Sequence, residues 1–424
     1  MLPEERQESY LYTIPACRIE TPDVEAFVEE LQRFHSQFAN CFARSEPRHN
    51  FYQYMVGQLS HFERKSIEPI AVNVCGKDTV RSMQRAISDA VWDEPQLMKT
   101  YHGMVTEEFG VPDGVLMFDE SGFVKKGTNS AGVARQYCGT IGKVENCQVG
   151  VFMGYASRKG YTLVDTRLFF PEHWFEEGYT AKRETCRVPA ELTFKTKPQL
   201  AAAMLLECYR HGSLPFKYIV ADTLYGNSLD FLEAAEQCVG KTYFVSMPAN
   251  THCWLHPPVT KTKTYRYKGE VRTKRLLKAP QKEPMTVEQF AKDLHDHFWY
   301  TRTVSEGTKG PITYAFTRRR VTVAKDGLPW KTVWLVIKRT LEDNPTYWYY
   351  ISNASTSARL SLFVWLSGMR WAIEQCFEDT KSELGMDHYE VRKYPGWYHH
   401  MLTCLLAHFF CGISNAAWEN GLRA

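Results

Sequence analysis

Two aspartates and a glutamate, far apart along the chain, have types and settings that could do chemistry together. Asp119 follows the apolar run Val115 to Phe118, Asp222 follows the apolar run "YIVA", and Glu374 lies in "SGMRWAIEQCFEDTKSELGMDHY", residues 367–389. An acid at the end of each of two buried strands, with a third on a late helix, makes a set that can converge. Carboxylates so arranged bind Mg²⁺, a hard cation that takes oxygen ligands and keeps several waters. Two such ions about 4 Å apart activate an attacking hydroxyl and stabilise the leaving oxygen of a phosphodiester. A lone Asp after a strand is more often a turn or helix cap; the repeat of the pattern, with the helix stripe, favours the ligand reading.

The stripe is a matter of spacing. At about 100° per residue, with Arg370 at zero, Glu374 falls near about 40° and Lys381 near about 20°. Met369, Ile373, Cys376, Phe377 and Leu384 centre near about 290° on the same wheel, and Trp371, Gln375 and Ser382 lie on the opposite, solvent side. The charges therefore border the buried face. Glu378, at about 80°, points more nearly away from it and suits a surface role.

The elements that must position these residues follow from pattern. From Val24 to about Lys99 the periodicity is helical and lacks β-branched alternation, so an α-helical N-terminal domain is expected over 1–110, with Arg44, Arg48, Arg64, Lys65, Arg81 and Arg85 as possible phosphate contacts. Then come the strand ending in Asp119 and Glu120, a turn-rich connection marked by Gly122, Gly127 and Gly132, and the strands "CQVGVFMGYAS" and "YTLVDTRLFF" as an antiparallel meander. The helix "PQLAAAMLLECYRHG", the strand delivering Asp222, a helix after Asn227 and the strand "TYFVSMP" complete the order of an RNase H-like α/β catalytic domain, 111–248, in which the second acid's strand lies beside the first. A β-rich insertion is expected at 249–353, with a hairpin around Asp326-Gly327, and 354–424 returns to the catalytic domain and closes in helices.

Composition narrows the function. A chain of 424 residues, 44% hydrophobic and 23% charged, reads as an ordinary globular protein of two or three domains. A formal charge of +3 is too mild to establish a polyanionic partner, so its distribution must decide. The start "MLPEERQESYLY" has no apolar h-region, and "MLTCLLAHFFCGI" is too short and His-broken to span a bilayer, which predicts a cytoplasmic protein without membrane contact. Twelve cysteines form no CxxC pair, which argues against a zinc ribbon or disulfide scaffold. No Walker loop, GxGxxG after a strand or HExxH is present, which argues against nucleotide hydrolysis and zincin chemistry. His388, Arg392, His399 and His400, with no second ligand cluster, are expected to meet solvent or DNA.

Local charge is more informative. "KTKTYRYKGEVRTKRLLK", 261–278, holds eight basic residues against one Glu, with Tyr265 and Tyr267 interleaved. Such clustered cations with aromatics match an electrostatic footprint for phosphate, and Lys261, Lys263, Arg272, Lys274 and Arg275 are its candidate DNA contacts. Lys125, Lys126 and Arg135, with Gln136, lie just beyond the first acid, where cations would meet a DNA backbone.

These residues resemble a known family. "FDESGFVKKGTNSAGVARQYCG", "VADTLYGN" and "RWAIEQCFEDTKSELGMDHYEVRKYPGWYHH" look like the DDE transposases of bacterial insertion sequences, and "ERKSIEPIA" and "WDEPQLM" extend the likeness toward the N-terminus. In the subgroup with a Y-x2-R-x3-E-x6-K signature, Arg370, Glu374 and Lys381 match in type and spacing, while Ser367 stands at the Tyr position. The resemblance implies Asp119, Asp222 and Glu374 as catalytic ligands of two Mg²⁺ ions, with Mn²⁺ able to substitute. It implies Arg370 and Lys381 as contacts to the phosphate near the scissile bond, double-stranded DNA (element ends and target) as substrate, and a homodimer on DNA. A non-catalytic DNA-binding protein on the same scaffold, or a structure-specific nuclease without strand transfer, would share most of these features.

Overall fold

The computed structural model describes residues 21–268, 270–279, 283–307 and 310–421; the N-terminal stretch searched above for an h-region lies outside them. The chain divides into two compact units. One comprises Tyr218–Leu232 and Gly240–Arg370, and the other the residues up to Lys217, Glu233–Val239 and the residues from Trp371 onward.

The larger unit begins with five helices, α1 (Thr21–Ser36), α2 (Ser45–Leu59), α3 (Ile67–Val74), α4 (Val80–Ser88) and α5 (Glu94–Phe109). The last is capped by Asp93, whose carboxylate accepts the Gln96 N–H at 3.0 Å and so satisfies a helix-end donor. Strands β1 (Val115–Val124), β2 (Ala134–Cys138), β3 (Lys143–Ala156) and β4 (Tyr161–Phe169) follow. β3 pairs antiparallel with β1, β2 and β4, giving the expected meander with one strand more.

Two local expectations need correction here. β1 continues five residues past Asp119, because its ladder to β3 runs on through Gly122↔Val149 to Val124↔Cys147. Asp119 is therefore a mid-strand residue, and Gly122 marks close approach of another segment instead of a turn. A Cβ at Gly122 would stand 2.5 Å from Cys138 Sγ. The second correction is β2, whose polar and half-exposed "ARQYC" lacks an apolar alternation.

Helices α6 (Thr180–Thr185) and α7 (Lys197–His211) complete the first part of this unit. In α7, Thr196 and Gln199 form a reciprocal capping box, and Gly212 closes the helix in the left-handed region, the usual pairing of start and stop signals. Aromatic side chains supply much of the core, with Phe109 and Tyr101 of α5 against Phe409 at 5.2 and 5.5 Å between ring centroids.

In the other unit, β5 (Tyr218–Ala221) is followed by α8 (Thr223–Gly226), and α9 (Leu229–Gln237) runs across the division between units. Then come β6 (Thr242–Met247), β7 (His252–Trp254), β8 (Thr260–Tyr267), β9 (Glu270–Leu277), β10 (Met285–Thr286), α10 (Val287–Lys292), β11 (Tyr300–Gly307), β12 (Gly310–Lys325), β13 (Leu328–Arg339) and β14 (Tyr347–Ser352). β5 and β6 pair in parallel, and β14, β13, β12, β7 and β10 continue outward from β6, all antiparallel. The segment 249–353 thus extends the sheet begun by β6. Asp326 and Gly327 sit at φ 50 and 72° between β12 and β13, the positive values a two-residue hairpin turn requires. β8 and β9 stand apart as a two-stranded sheet.

The segment read as one helix through Arg370 is two, α11 (Leu360–Met369) and α12 (Trp371–Ser382), meeting at Arg370. The sequence before the break explains it. The Ser367 hydroxyl bonds back to the Val364 carbonyl at 2.7 Å, and Gly368, whose added Cβ would lie 2.8 Å from Val304, weakens helix propagation. The last helix, α13 (Tyr394–Gly421), belongs to the larger unit. Among the described residues no helix is long and apolar enough to cross a membrane.

Candidate active site

In the larger unit, Asp119 lies opposite Phe152 in the β1–β3 ladder and is half-buried. Its Oδ1 accepts the Glu120 N–H at 2.8 Å, which orients the carboxylate. Glu120 meets Lys197 Nζ of α7 at 3.2 Å. Helix α12 packs on β1, β3 and β4. Its anchor is Ile373, fully buried, which fits because Gly154 of β3 has no side chain. A Cβ there would be 3.0 Å from Met117, two residues before Asp119, and 3.4 Å from Ile373. Glu374, the next residue along, is exposed, as is Glu378 one turn later.

Lys381, two turns beyond Glu374, comes back toward β1. Its Nζ donates to Thr140 Oγ1 at 3.0 Å, and the Thr140 hydroxyl donates to the Gly122 carbonyl of β1 at 2.9 Å. Burial lowers the Lys381 pKa, with Asp387 and Cys138 working against the shift. Thr140 was absent from the sequence reading, since a hydroxyl in a Gly-flanked turn carries no periodic signal.

In the other unit, Asp222 caps α8, with Oδ1 accepting the N–H groups of Leu224 at 2.9 Å and Tyr225 at 3.4 Å. Its Oδ2 is 4.0 Å from Arg370 Nη1. The break at Arg370 takes that guanidinium out of the Glu374 helix, and it pairs with the second Asp instead of completing a continuous stripe. Capping and a catalytic role are compatible here, because the cap uses one carboxylate oxygen.

The DNA candidates differ in setting. Lys126 and Arg135 are exposed. Lys125 turns inward, with Nζ 3.3 Å from the centroid of the Tyr389 ring and donating to the Tyr389 carbonyl at 2.8 Å. Burial pulls its pKa down to about 7, with Asp387 and Glu390 opposing. Gln136 donates to the Cys147 carbonyl at 3.0 Å. The basic run is the β8–β9 hairpin, with Lys263 directly opposite Lys274, Tyr265 opposite Arg272 and Lys261 opposite Leu276. Directly opposed residues share a face, so Lys261, Lys263, Arg272 and Lys274 stand on one side of the ribbon with Tyr265 and Tyr267. Arg275 is on the other side, tied to Thr260 Oγ1 at 3.2 Å and the Pro329 carbonyl at 3.3 Å.

The late histidines do not meet solvent or DNA as expected. His399 and His400 are 1% and 0% exposed. His399 stacks on Trp92 at 3.9 Å and bonds the Ile87 carbonyl at 2.8 Å. His400 bonds Tyr54 at 2.8 Å through Nδ1 and the Met386 carbonyl at 3.0 Å through Nε2, and burial drives its pKa down to about 3. They face the core because they sit on the inner side of α13, where paired polar partners satisfy them. Of the N-terminal cations, Lys65 is likewise internal, tied to the Gln58 and Glu383 carbonyls, and Arg64 pairs with Glu390.

With this geometry in place, the comparisons with known proteins are direct. Residues 37–311 match the family described as DDE superfamily endonuclease, and the chain belongs to that family. It is 24% identical over 341 residues to the probable transposase for insertion sequence element IS701 of Microchaete diplosiphon, covering 80% of this chain and 76% of that protein. A solved structure of the piggyBac transposase synaptic complex with hairpin DNA covers 93% of this chain and 74% of that one, at 9% identity and a TM-score of 0.43. The chain is thus a DDE transposase of the insertion-sequence kind, the class expected from its motifs, and the family implies DNA as the macromolecule bound and a divalent metal as cofactor.

Proposed function

We propose that the chain cuts a phosphodiester at each end of its element and joins the freed 3′ end to target DNA, with Asp119, Asp222 and Glu374 as the catalytic carboxylates. The family match carries this reading, since its residues 37–311 include both aspartates; Glu374 lies beyond that stretch and is supported by the packing of α12 on β1. An all-carboxylate donor set suits Mg²⁺, with Mn²⁺ as substitute. When bound, two such ions would activate the attacking oxygen and stabilise the leaving one.

The chain's own residues hold and orient. The backbone N–H of Glu120 and the first N–H groups of α8 fix one oxygen of each aspartate. Arg370 and Lys381 place positive charge for the phosphate under attack, which counts most when that charge grows in the transition state. The β8–β9 hairpin holds duplex backbone, the helices before residue 111 add contacts, and two copies of the chain pair two element ends. This catalytic core is RNase H-like, spanning 111–248 and 354–424, and it acts in the cytoplasm.

Cleavage assays and gel shifts on Asp119→Asn, Asp222→Asn, Glu374→Gln and Glu378→Gln test the assignment. The first three should bind end DNA and leave it uncut, while Glu378→Gln stays active. Full activity in Glu374→Gln with none in Glu378→Gln would overturn it. A joining assay separates the rivals, because a binder leaves DNA intact, a nuclease yields cut ends only, and a transposase yields joined products.

A further inference from the structure

The turn between β2 and β3 is firmly anchored underneath and apolar on top. Beneath it, Thr140 is held between the Gly122 carbonyl and Lys381, and Cys138 lies so close to Gly122 that no larger residue fits. Above it, Tyr137 and Val144 are 58 and 54% exposed, and Ile141 in the turn itself is 40% exposed. Tyr137 and Val144 are directly opposed in the ladder and so share a face with Arg135, two residues along. A rigid projection bearing several large apolar side chains on its solvent side has no role in the core, and such clusters mark contact sites.

Charge indicates what covers it. Arg135 is exposed on the face of Tyr137 and Val144. Lys143 lies directly opposite Cys138 and so on the other face, 3.8 Å from Glu145, which also accepts the Asn146 N–H at 2.9 Å. A cation beside an apolar tip complements duplex DNA, whose phosphates flank sugar and base edges. Position fits as well. Gly122, on which the turn rests, is three residues past Asp119, about 10 Å along a strand, so the turn lies close to the first acid.

We propose that the β2–β3 turn is a second DNA-contacting element, in which Ile141 and Tyr137 touch the groove floor of the duplex close to the cut while Arg135 holds a phosphate. This rests on the transposase reading above, which puts Asp119 at the scissile phosphate.

The test uses the full chain with Ile141 replaced by benzoylphenylalanine, bound to element-end DNA and irradiated. A crosslink to DNA within about five base pairs of the cut is expected. Two binding series accompany it. Ile141→Ser with Tyr137→Ser should weaken end binding at least threefold without changing the salt dependence, since apolar contacts release no counterions. Arg135→Gln should flatten the slope of log affinity against log salt by about 0.9, while Lys143→Gln should leave it nearly unchanged. Thermal melts confirm that each variant is folded. End binding with a crosslink only to a second copy of the chain, or with none, would overturn the turn's role and leave the transposase reading standing. Absence of any end-DNA binding by the unmodified chain would overturn both.

Discussion

The β8–β9 and β12–β13 hairpins belong to one compact unit, and each concentrates cations on two neighbouring strands. In β12–β13 the cations are engaged. Arg318 donates to the Ala358 carbonyl and lies 4.7 Å from the Trp334 ring, Arg320 donates to the Thr332 carbonyl at 2.6 Å, and Lys338 sits 4.5 Å over Trp348. In β8–β9, Arg272 pairs with Glu270 at 2.9 Å and lies 5.0 Å from the Tyr267 ring, but Lys263 faces Lys274 across the ladder with Lys261 on the same side. Like charges directly opposite destabilise a sheet, so this arrangement makes sense when an anion covers it. The run "RRR" at 318–320 looks as basic in sequence as the run at 261–278. What separates them is the backbone carbonyls that the β12 arginines reach and the direct opposition of Lys263 to Lys274 in the other hairpin.

The largest expected effect is therefore on the face that carries the opposed lysines. Neutralising Lys261, Lys263, Arg272 and Lys274 to Gln should flatten the salt slope of DNA binding by about 3.6, so that a fourfold change in salt alters affinity by roughly two orders of magnitude less than in the parent. End and non-end DNA should lose affinity together, because phosphate contacts carry no base information. An unchanged slope would remove the hairpin from the DNA interface. Second comes the tied cation. Arg318→Met should lower unfolding stability by about 1–3 kcal/mol through the carbonyl it strands and leave the salt slope alone, read by denaturant melts and titrations at several salt concentrations.

Lys125 carries the comparison to its limit, a cation buried against an aromatic ring. Its folded pKa of about 7 is below the unfolded value, so between the two the unfolded chain binds more protons and stability rises with pH. Burying this charge therefore costs most below about pH 7, and the cost is relieved as pH rises toward the unfolded value. Lys125→Met should gain stability over the parent at pH 6, and the gain should shrink by pH 9. A gain independent of pH would mean that the lysine is charged throughout. The smallest effect belongs to the other side of the basic hairpin. Arg266→Gln with Arg275→Gln removes as much charge as Lys263→Gln with Lys274→Gln, yet should change the slope by less than half as much, because Arg275 is already bound to protein.

Much of the scaffold was legible from local rules. The helix after Pro198, the Asp326-Gly327 turn and the strands around Asp119 and Asp222 follow from periodicity and turn chemistry, which act over a few residues. The misses have a common cause. β1 runs on through "ESGFV" because β3 offers a partner for each residue, and the helix breaks at Arg370 where Gly368 meets Val304. His399 and His400 turn inward because Tyr54, Ile87 and Met386 await them. Each is decided by a partner dozens to hundreds of residues away, which no window of sequence contains. At the candidate site, each aspartate stood out because it follows an apolar run in the sequence, although Asp119 lies within its strand and Asp222 after its own. Thr140 did not, because its part depends on the Gly122 carbonyl and Lys381 arriving from either side.

The isolation of the β8–β9 ribbon has a bearing on how the protein behaves when no DNA is present. Strand edges with unpaired amides and carbonyls invite another chain to add a strand, and lysines along such edges are a common safeguard. The side chains proposed to hold duplex would thus also keep copies of the chain from stitching together in its absence. The quadruple glutamine variant should be checked for size by light scattering before its affinity is interpreted. Added duplex should improve the solubility of the parent protein less than that of any variant in which some of these lysines remain and others are lost.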